Sequence, residues 1–439
     1  MSEIASGTVL TLGQDVELVV EKPAAGGRMI ARLDGQVVLV SGAVPGERVL
    51  ARVERTEKRL AFASVVDVRE PSPDRRAGFP DPTCGGCVYS HISYVRQLAL
   101  KADIVRDAFA RLGRLPIDGP IPVAPSPERG YRTRARFHVD GTRVGFYREA
   151  THTLCDAGGT GQVGDAGLAT VSSVASALAG AGARVVSIEL AESVDAGQRV
   201  VAATVGDVRV VSDAAWEALP AAAGLAGCAV QDTAGRRVEA GDPWIVDPLA
   251  TLTSGRVESG GLRHGAEAFF QSNRFLLPEL VTAVLDAVAP DGAILDLYAG
   301  VGLFSVALAA SGRRDITAAE GDRVSGADLR YNARQASIQP GALTVVLDSV
   351  ERYLLRRSRG HSIPATVIVD PPRTGMSTKV LGSIVKLGSP RIVYVSCDPA
   401  TMARDARRLI DGGYTLESLR AFDLFPNTPH VETMGVFVW

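Results

Sequence analysis

The chain has 439 residues, 46% hydrophobic and 22% charged, with a net charge of −2 at pH 7. That length suggests two or three domains with ample core. The charge balance excludes a globally basic nucleic-acid binder, so an RNA or DNA partner would need a local basic patch.

Five cysteines do not make a disulfide scaffold. Neither a secretory leader nor an apolar run of membrane-spanning length stands out, so a reducing cytoplasm is the expected location. Only five of the 47 basic residues are lysine. Arginine suits bidentate phosphate contacts and stacking on bases, although a coding bias would produce the same composition.

In chain order, residues 8–12, 15–20, 36–40 and 48–53 alternate or are β-branched, and read as short strands. Ala24-Ala-Gly-Gly and Val44-Pro-Gly-Glu supply turns between them. This spacing predicts a small closed β-barrel. Residues 70–76, with two prolines, read as a linker. Residues 94–113 predict an amphipathic helix with Val95, Leu98, Ile104, Val105, Ala108, Phe109 and Leu112 on one face. Residues 130–265 mix short strands with an alanine-rich helix over 167–182.

From Gln271 the pattern becomes alternating helix and strand. Helices are expected over 275–288, 302–310, 323–336, 379–387 and 402–410. Strands are expected over 293–298, 316–320, 365–370 and 391–396, with more strand at the end of the chain. Alternation of this kind calls for a parallel, doubly wound sheet, whose chemistry gathers at the strands' carboxyl ends. The fold class is thus α/β, a Rossmann-like domain joined to an N-terminal β-barrel and a mixed α+β centre.

Three motifs fall at such ends, and a fourth precedes the last strand. Asp296-Leu-Tyr298-Ala-Gly300-Val-Gly302 follows a strand and opens a helix, and Glu320 ends the next strand. A tight glycine turn with an acid about twenty residues on suits a nucleoside. The third glycine of a dinucleotide fingerprint is missing, so the layout fits S-adenosylmethionine. Asp370-Pro-Pro-Arg373 ends another strand. Amine methyltransferases usually carry an aromatic where Arg373 stands, so base N-methylation loses ground. Cys397, in Ser-Cys-Asp-Pro, ends the fourth strand and is either a core cap or a nucleophile. Glu432, in His430-Val-Glu-Thr, is either a solvated glutamate or a general base.

Phe-Phe-Gln271-Ser-Asn, the Asp296 and Asp370 motifs, Ser396-Cys-Asp-Pro-Ala-Thr and His430-Val-Glu-Thr together resemble the RNA uracil-5 methyltransferases, in that order and spacing. The barrel looks like the TRAM domain that many members carry. The resemblance covers nearly the whole chain and is most specific over the last 170 residues or so. It implies that Cys397 adds to C6 of uracil, that C5 takes the methyl of S-adenosylmethionine, and that Glu432 removes the C5 proton. It also implies that Gln271, Tyr298, Glu320 and Asp370 hold the cofactor, with Asp348 a weaker candidate for the adenine.

Some members hold a [4Fe–4S] cluster on four cysteines. Here Cys84, Cys87 and Cys155 match three of those positions and Gly78 stands at the fourth, which leaves a labile or open-site cluster or a relic. Zinc would need His91 or His152 as its fourth ligand. Cys228 matches no ligand position.

Tyr131, Arg132, Arg134, Arg136, Phe137, Arg143 and Arg148 interleave arginine with aromatics, which suits RNA or an ordinary solvated sheet face. The expected architecture is therefore residues 1–70 as a TRAM-like RNA-binding barrel, 71–265 as the central α+β domain with helix 94–113 packed on the catalytic domain, and 266–439 as the methyltransferase domain. The expected protein is a monomer acting on ribosomal RNA, with transfer RNA as runner-up. The target uridine is expected in a pocket between the central and catalytic domains. The rivals are cytosine-5 methylation and a non-catalytic RNA-binding or redox-sensing protein.

Overall fold

The computed structural model describes residues 10–24, 26–78, 80–149, 151–335, 337–357 and 362–439. Buried and exposed side chains alternate along Asp15–Pro23 and Arg48–Glu57, so each strand has one apolar face to hide. With Met29–Leu33, Gln36–Ser41 and Leu60–Glu70 they close a five-stranded barrel around Val16, Leu18, Met29, Val38 and Val49. Closure removes the sheet edges. Two strands escaped the sequence reading, Met29–Leu33 and Leu60–Glu70. The first was announced by Asp34-Gly35, which adopts positive φ (48° and 82°) and turns the chain into Gln36–Ser41. Of the strand expected over 8–12, Leu10–Leu12 is irregular and turn instead, and Thr8 and Val9 lie outside the described residues.

The segment read as a linker is anchored. Arg75 Nε donates to the buried Glu47 carboxylate at 2.6 Å, and Arg76 Nη2 reaches Glu128 at 2.7 Å and Asn427 at 2.6 Å. A seven-stranded sheet follows, in the order Arg237–Gly241, Gly227–Asp232, Arg199–Val205, Val185–Glu192, Arg134–Asp140, Arg143–Tyr147 and Leu154–Asp156. Helices Asp165–Gly180 and Asp213–Ala223 pack on it through Val171, Val174, Leu178, Trp216 and Leu219.

The last sheet has eight strands, in the order Leu343–Leu347, Ile316–Glu320, Ile294–Leu297, Thr366–Val369, Arg391–Ser396, Glu432–Val438, Thr415–Phe422 and Val123–Ala124. The first five run parallel, and Glu432–Val438 runs against its neighbours on both sides. Ile294–Leu297 and Thr366–Val369 are buried throughout, as strands covered on both faces must be. From Ile294–Leu297 the chain builds first to one side and then, with Thr366–Val369, to the other. That reversal opens a crevice beyond the strands' carboxyl ends.

Helix Leu277–Ala287 sits where expected, but Arg323–Asn332 is shorter than expected and Ala336 lies outside the described residues. Helix Pro399–Asp411 starts earlier than expected, because Asp398 caps it by accepting from the N–H of Ala400 and Thr401.

Helix Tyr94–Arg111 lies against helix Pro399–Asp411. Its buried face matches the expected one only in part. Val95 and Leu112 are exposed, whereas Gln97, Leu100, Lys101, Val105, Ala108 and Phe109 are buried. Two polar residues thus sit inside, which an apolar count could not find.

Candidate active site

The ends of five adjacent strands carry the predicted residues in spatial order: Asp348, Glu320, Tyr298, Asp370 and Cys397. After Leu297, Tyr298 takes a positive φ of 62°, an uncommon conformation for a non-glycine residue that turns the chain into the glycine loop. Gly302 needs its φ of 97° to start helix Leu303–Ala310, and a Cβ there would come within 2.8 Å of Leu329. The Gly300 N–H donates to Glu320 Oε2 at 2.7 Å, and the Asp322 N–H donates to Oε1 at 2.6 Å. Glu320 therefore braces the loop it faces.

This crevice suits an adenosyl amino-acid cofactor. Both carboxylate oxygens of buried Asp296 lack a partner, and burial pushes its pKa up to about 7. A Cβ at Gly300 would meet open space. Glu320 is held above the usual carboxylate range by burial, against the backbone N–H groups of Asp322 and Gly300. Gln271 Nε2 lies 3.4 Å from Asp370 Oδ2, which joins the Phe-Phe-Gln motif to the fourth strand end. Asp348 is already occupied by Arg352 and Arg356, which keep its carboxyl low.

Cys397 and Glu432 meet through sheet register. Val395 pairs with Met434 and Ser396 with Thr433, so Cys397 and Glu432 are the next residues along the ladder, at its open end. Thr433 Oγ1 donates to Ser396 O at 3.0 Å and locks that register. Glu432 is 1% exposed and its Oε1 has no partner. Burial raises its pKa well above the usual value, helped by nearby Asp370 and opposed by Arg373. Asp370 itself is raised to about 7 by burial, against the Gln271 amide. The half-buried Cys397 thiol is raised to about 11, first by burial and then by Glu432, while Arg373 pulls it down. Arg373, read from sequence only as a missing aromatic, is a cation that acts on both Cys397 and Glu432. A cavity of about 430 Å³ opens beside Cys397, within the size range of ligand pockets. Its walls are Pro23 and Ile30 of the barrel, Ile104 and Ala108 of helix Tyr94–Arg111, and Pro429 and His430.

The cysteine-rich site departs from expectation. Cys84 is bonded to Cys155 as a disulfide, and Cys87 is a buried free thiol raised to about 11 by burial. A cluster or zinc ion needs thiolates, so the set Cys84, Cys87 and Cys155 does not fit a metal in this form. Among the described residues no group of three or more His, Cys, Asp or Glu could hold one. His91 instead bonds Ala43 O at 3.0 Å, and Cys228 is core. The basic stripe is also corrected. Arg132 donates to Gln162 at 2.6 Å and Arg134 reaches Ala266 O, so only Arg136 of the three faces solvent. Arg148 pairs with Asp81.

The doubly wound sheet, the glycine loop braced by an acid and the antiparallel terminal hairpin define an S-adenosylmethionine-dependent methyltransferase. Residues 257–439 match the tRNA (uracil-5-)-methyltransferase family, and residues 9–66 match the TRAM domain. A 23S rRNA (uracil(1939)-C(5))-methyltransferase of Halomonas elongata is 32% identical, over 95% of this chain and 88% of its own. An RNA methyltransferase of Streptomyces coelicolor is 31% identical, over 99% of this chain and 95% of its own. The solved structure of Pyrococcus abyssi tRNA (uracil-54, C5)-methyltransferase in complex with S-adenosyl-L-homocysteine superposes with a TM-score of 0.75 at 22% identity, covering 96% of this chain and 99% of that one, and shares its fold. The chain belongs to the RNA uracil-5 methyltransferase family and transfers a methyl group from S-adenosylmethionine to C5 of a uridine in RNA. Among the described residues no helix is long and apolar enough to cross a membrane.

Proposed function

We propose that the acceptor is a uridine of 23S ribosomal RNA, with Cys397 as nucleophile and Glu432 as base. The observation that carries the chemistry is the ladder register that sets these two side by side beside Asp370 and Arg373. Relatives that act on 23S RNA and align over almost the whole chain support the choice of substrate.

S-adenosylmethionine supplies the electrophilic methyl group. Cys397 loses its proton to solvent and its sulfur forms a bond to C6, which moves the C5=C6 electron pair onto C5; that pair bonds the methyl as the methyl's bond to the cofactor sulfur breaks, leaving S-adenosyl-L-homocysteine. Glu432 then takes the C5 proton. The C5–H pair restores the double bond, and the C6–S bond breaks with its electrons returning to Cys397. Arg373 offsets the negative charge gathered on Cys397, Asp370 and Glu432. Gln271, Tyr298, Glu320 and Asp370 hold the cofactor: Glu320 suits a ribose hydroxyl, and Asp370 with Gln271 suits the amino-acid end.

The test uses 5-fluorouridine-substituted 23S and transfer RNA with S-adenosylmethionine. Fluorine at C5 cannot leave as a proton, so a slow-migrating covalent adduct should persist with 23S RNA and be absent in Cys397→Ala. An adduct with transfer RNA alone would move the substrate to the runner-up. No adduct with either would reject the Cys397 chemistry.

A further inference from the structure

Glu432 opens the last strand, and the nine residues before it, 423–431, form the connection from Thr415–Phe422. That connection is held from outside the methyltransferase sheet. Asp423 follows Phe422, and Phe422 is the register partner of Glu432. Its carboxylate pairs with Lys101 of helix Tyr94–Arg111, and both side chains are fully buried. Lys101 Nζ also donates to Phe425 O at 2.9 Å. One turn earlier on the same helix face, the Gln97 amide donates to Asn427 Oδ1 at 3.0 Å and accepts from the Asn427 N–H at 2.9 Å. Asn427 has a positive φ of 64°, a conformation that needs such support. Asn273, two residues past Gln271, donates to Leu424 O at 3.0 Å.

A buried ion pair is weak grounds for stability, because desolvation offsets most of the attraction. Burial pushes the Asp423 carboxyl up and the Lys101 ammonium down, so each keeps its charge through the other. Replacing such a pair by apolar residues of similar size is often neutral for stability. What the pair adds is direction: a fixed hydrogen-bond geometry at the root of the strand that carries Glu432.

We infer that Lys101 and Gln97, acting through Asp423 and Asn427, are positioning residues that hold Glu432 on the C5 proton of the target uridine. This rests on the reading of Glu432 as the base. The helix that supplies them lies far upstream in the chain, so the buried Lys101 and Gln97 take part in the second half of the reaction without themselves touching substrate. Misplacing a reacting group by about 1 Å costs about 10²-fold in rate. That loss should fall on proton removal and spare adduct formation, which needs Cys397 but no base.

The test compares wild type, Lys101→Met and the double variant Lys101→Met/Asp423→Leu, which removes both buried charges and keeps an apolar filling. Three quantities are read on full-length protein. They are the rate of adduct formation with 5-fluorouridine RNA, tritium release from [5-³H]uridine RNA, and the deuterium isotope effect at C5. Both variants should trap RNA at nearly the wild-type rate, release tritium about 10²-fold more slowly, and show a larger isotope effect. Trapping and tritium release falling in equal proportion would overturn the inference in favour of a purely structural role. So would tritium release restored to the wild-type rate in the double variant. Tritium release at the wild-type rate in Glu432→Gln would instead reject the base assignment beneath it.

Discussion

Three free thiols of this chain are pushed to the same height by burial, yet the surroundings of two of them, Cys87 and Cys397, differ sharply. Cys87 lies in an apolar cluster with Phe137 and Phe146, and desolvation alone raises it to about 11. Cys397 reaches about 11 as well, but Glu432, Asp370 and Arg373 all act on it. A buried thiol with no charged partner is inert packing. A thiol raised by burial and opposed by a guanidinium can be switched when a substrate rearranges those charges. The number is shared and the causes are not, and the causes set the proposed nucleophile apart.

The comparison breaks first if Cys397 is dispensable. Cys397→Ser should lower methyl transfer by at least about 10⁴-fold, as removal of a nucleophile does elsewhere, measured by tritiated-methyl incorporation into RNA. Glu432→Gln comes next. Loss of a general base costs about 10²–10⁴-fold, but this variant should still form the 5-fluorouridine adduct, and a missing adduct would mean that Glu432 serves Cys397 instead.

Arg373→Ala sharpens the contrast through pH. The rate should rise with pH as the Cys397 thiol ionises. Arg373 lowers that pKa, so its removal moves the rising limb to higher pH. Each unit of displacement costs about tenfold near neutrality and is recovered in alkaline buffer. A limb that stays in place would take Arg373 out of thiol activation. The smallest effects belong to the other thiols. Cys87→Ala should leave turnover within about twofold of wild type. Cys84→Ser/Cys155→Ser should leave turnover equally unchanged and cost about 2–4 kcal/mol of stability, read by denaturant unfolding. A large fall in turnover there would give the cysteine-rich site a catalytic part.

Much of the active site was legible along the chain. Tyr298, Glu320, Asp370 and Cys397 each stand at or just past the end of a strand, and a parallel sheet converts consecutive strand ends into one crevice. The parallel sheet itself followed from helix–strand alternation, because a parallel neighbour requires a crossover. The barrel was legible as a class, with two strands missed.

Local pattern could not carry the partnerships. Local pattern left Glu432 as either a solvated glutamate or a base, and the antiparallel register sets it next along from Thr433, the partner of Ser396. Arg132 and Arg134 suited either RNA or a solvated sheet face, and in the fold Gln162 and Ala266 take their donors instead. Lys101 and Gln97 broke the apolar face expected of their helix, because they are buried against polar groups more than 320 residues later in the sequence. Periodicity reports which face is apolar, whereas a buried polar residue is explained only by the partner that satisfies it. By itself the sequence determined the strand-end chemistry and the order of the elements. Tertiary structure decided which charges meet, because register and long-range pairing bring together residues that share no local signal.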